Sequence, residues 1–88
     1  MRPIQTTRDF GSAVRRARTD LGMSQTELAG NAGVGRPWLS ELEGGKRTVE
    51  LGRVLSVLHA LGLSVTFAPT PKPDRAALDL DQIIGEET

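Results

Sequence analysis

Apolar residues recur at helical spacing through most of this chain and switch once to simple alternation. From Thr7 to Leu21, the residues Phe10, Val14, Ala17 and Leu21 fall on one helical face. Thr7 suits the N-cap, Asp9 the first turn and Gly22 the stop, while Arg15, Arg16 and Arg18 lie largely off the apolar face. Ser24-Gln25-Thr26-Glu27 reads as a capping box, in which the Ser24 hydroxyl and the Glu27 carboxylate each accept from the other residue's amide. The short helix it opens turns Leu28, Ala29 and Ala32 inward, and Gly33 ends it in a left-handed conformation. Gly35 then caps a third helix. Pro37 fits its first turn, where no intrahelical N–H bond is lost; Leu39 and Leu42 form its buried side, and Gly44-Gly45 closes it. Thr48 is placed to cap a fourth helix, "VELGRVLSVLHALG", with a stripe of Leu51, Val54, Leu55, Leu58 and Leu61 and a stop at Gly62.

The alternation comes next. In "LSVTFA", residues 63–68, Leu63, Val65 and Phe67 alternate with Ser64, Thr66 and Ala68, which predicts a strand. A lone strand cannot satisfy its own backbone, so it must pair, most simply with its copy in a second subunit. "PTPKPD" reads as a semi-extended linker. Beyond it Leu80, Ile83 and Ile84 share a helical face too short to hold alone in water, so residues 69–88 are expected to be a Pro-rich linker and an acidic tail, disordered until it meets a partner. The expected architecture is mainly α. Four or five helices span residues 1–68 together with one dimerisation strand that forms a two-stranded intersubunit sheet.

Charge changes the picture more than composition does. The formal net charge is zero, yet residues 1–66 hold nine Arg/Lys against six Asp/Glu, and the remainder holds two against five. A basic body with an acidic tail is compatible with nucleic acid, and so is a solvated surface with an acidic end. Eighty-eight residues allow one domain at most and leave little room for a large core, which favours burial by oligomerising. No run of about 18 apolar residues offers a membrane span, and "MRPIQTTRDF" has no apolar signal core. With no cysteine, a cytoplasmic protein without cofactor or metal is expected. An enzyme is poorly supported: His59, the sole histidine, sits mid-helix, and no H-x-x-x-H pair or phosphate-binding Gly-Lys loop exists.

Counted from Gln25 as the first position of a helix–turn–helix, Leu28, Ala29, Ala32, Gly33, Val34, Leu39 and Leu42 fall at seven constrained positions. The apolar ones pack the two short helices together, Ala29 permits their close crossing, and Gly33 supplies the positive φ of the turn. One side of the second helix is then left to enter a DNA major groove about 12 Å wide. Through "LGMSQTELAGNAGVGRPWLSELEGGKR" and "VELGRVLSVLHALGL" the chain resembles the Xre, or phage-repressor-like, helix–turn–helix proteins. More narrowly it resembles the HipB-like antitoxins, which append a short dimer-forming strand where this chain has "LSVTFAP". That resemblance implies a homodimer on palindromic double-stranded operators, repression of its own operon, and a HipA-like Ser/Thr kinase toxin as partner. A stand-alone Xre-type regulator without a toxin is the alternative.

The candidate contacts follow residue by residue. Gln25 resembles the family glutamine that bridges a phosphate and a base, and Thr26 beside it can touch a phosphate. Arg36, at the start of the reading helix, can grip guanine O6 and N7 or clamp a phosphate; its alternative is a surface pair with a glutamate. Pro37 either meets a thymine methyl or stiffens the turn. Trp38 either packs as satellite core beside the first helix or lies on the DNA backbone. Ser40 and Glu41 lie farther along; Glu41 can accept from cytosine N4 or pair with Arg36 or Lys46. Lys46 and Arg47 occupy the loop where relatives contact phosphate, or are simply solvated. Leu63, Val65 and Phe67 are the candidate dimerisation residues.

Overall fold

A computed structural model of the chain describes residues 3–69. The tail expected to carry Leu80, Ile83 and Ile84 lies outside them. Four helices follow one another: α1 (Thr7–Asp20), α2 (Gln25–Ala32), α3 (Arg36–Glu43) and α4 (Leu51–Ala60). α1 begins one residue earlier than the Thr7 cap predicts, because Thr6 is extended and its hydroxyl accepts from the Asp9 amide at 3.0 Å. The capping box of α2 is complete, with Ser24 Oγ accepting from the Glu27 amide at 3.0 Å and Glu27 Oε1 from the Ser24 amide at 2.8 Å. Gly33 closes α2 at φ +71°, and the next amide, Val34, donates back to the Ala29 carbonyl at 3.0 Å. This pair of features is a Schellman ending, and it turns the chain sharply enough for α3 to start at residue 36.

The core is one cluster of Val14, Leu28, Ala29, Leu39, Leu42, Val54, Val57, Leu58 and Leu61, so every helix contributes. α1 packs on α3, and α2 packs on both α3 and α4. The predicted stripe of α4 is shifted in the structure: Leu51 and Leu55 are 67% and 47% exposed, whereas Val57 is fully buried. The turn of helix that meets α2 is Val54, Val57, Leu58 and Leu61, an i, i+3, i+4, i+7 set, which leaves the flanking leucines outward. The predicted cap of α4 also moves. The chain stays extended through Glu50, which caps without a side-chain bond, while Val49 tucks against the core.

α1 and α3 meet at Gly11. A Cβ there would lie 2.5 Å from the Leu42 carbonyl oxygen and 2.6 Å from that of Glu43, so the backbones touch with no side chain between them. Residues 63–69 have no regular secondary structure and form no sheet among the described residues. Leu63 and Val65 are half exposed and Phe67 is 97% exposed.

The contrast between two glycines tests this packing. Gly11→Ala gains about 1 kcal/mol of helix propensity but forces α1 off α3, and overpacking of this kind typically costs about 1–3 kcal/mol. With backbone as the obstacle the cost wins, and denaturant unfolding is expected to show net destabilisation. Gly30→Ala, which meets nothing within 4 Å, is expected to stabilise by about 0.5–1 kcal/mol in the same assay.

Candidate nucleic-acid interface

Helical geometry sorts the residues of α3 by face. Leu39, Leu42 and Glu43 are buried, Trp38 is half-buried, and Arg36, Pro37, Ser40 and Glu41 are exposed. The exposed four fall at i, i+1, i+4 and i+5, so they form one strip along a rod about 12 Å long. Arg36 heads the strip at the N-terminal end and has no ion-pair partner among the described residues. Pro37 sits in the first turn, which has no side-chain cap because Gly35 precedes it. Beyond the far end, Lys46 and Arg47 are exposed in the loop toward α4. Lys46 Nζ donates to Glu41 Oε1 at 3.2 Å, so of the alternatives open to Glu41 the ion pair with Lys46 is the one formed. Both side chains are about half exposed, so the pair contributes little to stability and can be opened by a competing phosphate.

Trp38 has Arg53 of α4 over its ring. It packs at the edge of the core, and the guanidinium of Arg53 lies 5.9 Å from its ring centroid, within cation–π range. Arg53 is also held by Glu50 at 3.1 Å. Trp38 is half-buried, so part of its surface is left for a further contact.

At the start of α2, Thr26 is exposed and Gln25 half-buried. The Gln25 amide is not free in solvent: Nε2 donates to Glu43 Oε1 at 3.1 Å. Glu43 is itself the acceptor for Arg18, whose Nε donates to Oε2 at 2.6 Å and Nη2 to Oε1 at 2.9 Å. The remaining guanidinium nitrogen of Arg18, Nη1, donates to the Met23 carbonyl at 2.8 Å. Arg18 therefore does not belong to the general basic surface with Arg15 and Arg16. It is buried, and the bidentate pair ties α1 to the last turn of α3. Burial by itself pushes the Glu43 carboxyl up. The hydrogen bonds from Arg18 and Gln25, with the nearby charges of Arg18 and Arg15, outweigh it and hold the group below the usual carboxylate range. The same bond raises Arg18 above its ordinary value against the opposing effect of burial.

Pattern reading passed over Gly11 and Glu43 and placed Arg18 off the apolar face, although a signal was there. Arg18 follows Val14 by four residues and Glu43 follows Leu39 by four, so both fall on core faces with opposite charge. Among the described residues no His/Cys/Asp/Glu cluster could hold a metal, and no helix is long and apolar enough to cross a membrane.

Residues 9–67 match the helix-turn-helix domain family. The chain belongs to that family, and its class is that of the helix–turn–helix transcriptional regulators. Over 62 residues it is 47% identical to an uncharacterized HTH-type transcriptional regulator, y4mF, of Sinorhizobium fredii, covering 70% of this chain and 82% of the relative. Among solved structures it is similar to the HipA-HipB-O2-O3 complex, with a TM-score of 0.75 and 25% identity over 81% of this chain and 100% of that one. It is also similar to the clp gene regulator ClgR from C. glutamicum, with a TM-score of 0.62 and 42% identity over 72% and 82% of the two chains.

The buried pair makes a pH prediction. Glu43 titrates lower folded than unfolded, so its contribution is complete above the unfolded value of about 4.3 and is lost as pH falls through the folded value below it. Thermal melts are expected to show a drop in stability below pH ~4. Glu43→Ala is expected to lose about 3–5 kcal/mol at neutral pH by stranding Arg18, whereas Arg18→Leu/Glu43→Leu stays near the wild-type stability and loses most of the acid step.

Proposed function

We propose that this chain is a sequence-specific DNA-binding repressor that acts as the antitoxin of a toxin–antitoxin pair. It autoregulates its operon as a homodimer on a palindromic operator and neutralises a HipA-like Ser/Thr kinase. The observation that carries the DNA reading is the solvent-facing strip of α3, headed by Arg36, which has no ion-pair partner among the described residues, and followed by Lys46 and Arg47. Arg36 reads a guanine edge, Pro37 and Ser40 follow it along the groove, and Glu41 supports Lys46. Thr26, Lys46 and Arg47 bind phosphate, and Gln25 bridges phosphate and base. Trp38 stiffens the rod from beneath and offers its outer edge to the backbone.

Dimerisation rests on residues 63–68, the end of the DNA-binding domain at 1–68. Leu63, Val65 and Phe67 alternate, their side chains are exposed, and their backbone has no ladder among the described residues. An antiparallel partner strand from a second copy satisfies both deficits. The antitoxin role is supported by likeness to a structure that holds HipB together with HipA. Segment 69–88 is then the piece available to a toxin.

Arg36→Ala is expected to weaken binding to a duplex from directly upstream of its own reading frame by about 1–3 kcal/mol, with an unchanged melting profile. Binding like wild type removes Arg36 from the reading role. A chain ending at residue 68 is expected to repress yet fail to neutralise the kinase encoded beside it; an unrelated neighbouring gene turns the reading to a stand-alone regulator. Light scattering of the full chain is expected to give twice the monomer mass, and Val65→Asp/Phe67→Asp the monomer mass.

A further inference from the structure

The hydrogen bond between Gln25 and Glu43 has a consequence for how the first residue of α2 meets a ligand. A glutamine amide can turn over, exchanging its oxygen and its NH2 with little change in shape. Here that freedom is removed. Glu43 is ionised, its side chain is 4% exposed, and both of its oxygens already accept from Arg18. An ionised carboxylate only accepts, so the amide edge against it must be Nε2. Oε1 and the second N–H of Gln25 are thereby left for other partners. We propose that Glu43, itself fixed by Arg18, is a positioning residue that sets the orientation of the Gln25 amide for DNA.

This rests on the DNA reading of Gln25 given above. In the fixed orientation the outward N–H meets a phosphate oxygen, and Oε1 accepts from an exocyclic amino group such as adenine N6. The turned-over amide would put its oxygen against the carboxylate oxygen, two acceptors in contact. The carboxylate can stand this close to a phosphate-binding residue because Arg18 neutralises it, and Arg15 adds a further positive charge nearby. The arrangement also joins the start of α2 to the end of α3. The two elements that touch DNA then share one rigid hinge point beside the Met23 carbonyl, which Arg18 also holds.

The test separates positioning from stability. Arg18→Leu/Glu43→Leu removes the acceptor while leaving an apolar pair in its place, a kind of exchange that folds are known to accept. Against the duplex from upstream of its own reading frame, it is expected to lose about 3- to 10-fold in affinity, the same factor as Gln25→Ala, and adding Gln25→Ala is expected to cost nothing more. A folded pair variant that binds like wild type while Gln25→Ala is weakened overturns the positioning role and leaves the DNA reading standing. So do losses that simply multiply. Gln25→Ala binding like wild type overturns the DNA role on which the proposal rests. If the pair variant does not fold, the side-chain amide resonances of Gln25 in the wild-type chain decide. They are expected to shift with an inflection below the usual glutamate range as Glu43 is protonated; resonances that stay still through that titration overturn the proposal.

Discussion

The bidentate ion pair between Arg18 and Glu43 fixes the relation of α1 to α3, and the remainder of the domain is arranged around it. Buried ion pairs are weak sources of net stability, since desolvation offsets much of the attraction. What this one supplies is geometry. A guanidinium offers its fork in one plane, so α1 can neither slide along α3 nor roll on it without breaking two hydrogen bonds in a low-dielectric site. Gly11 completes the constraint by letting the two backbones touch about two turns before Arg18. With one side of α3 so occupied, the opposite side is the only one left to face outward.

That division of α3 underlies the functional reading. Its inner face spends Leu39 and Leu42 on the core, its last residue on the ion pair, and its flank on Trp38 under Arg53. The outer strip lies outside the core cluster, and Arg36, Ser40 and Glu41 on it carry groups that can hydrogen-bond to base edges. The short connection through Gly33 matters for the same reason. A longer turn would let α2 and α3 separate and would detach Gln25 from Glu43.

Local signals were legible where one residue type meets one backbone demand. The capping box at Ser24, the left-handed Gly33 and the inward Leu28, Ala29, Leu39 and Leu42 are as the pattern predicts. Tertiary choices were harder. Leu51 and Leu55 carry the same periodic signal as Val54 and Leu58, and only the approach of α2 decides which side of α4 is covered. Arg18 was hidden by its charge. Periodicity alone places it inward, but a lone arginine in a stripe is read as surface until its partner, twenty-five residues away, is identified. Glu43 was hidden the same way. The alternation over 63–68 forms no strand among the described residues, since a period of two by itself supplies no partner for the backbone.

The account stands on which surface of the domain touches the duplex. Backbone amide shifts of the labelled protein, followed while the duplex from upstream of its own gene is added, test this directly. The account predicts that Gln25, Thr26, Arg36, Ser40, Lys46 and Arg47 move together and saturate at one ratio of protein to DNA, while Leu51, Leu55 and His59 on α4 stay in place. Movement concentrated on α4 and residues 63–67, with α3 unmoved, would contradict it.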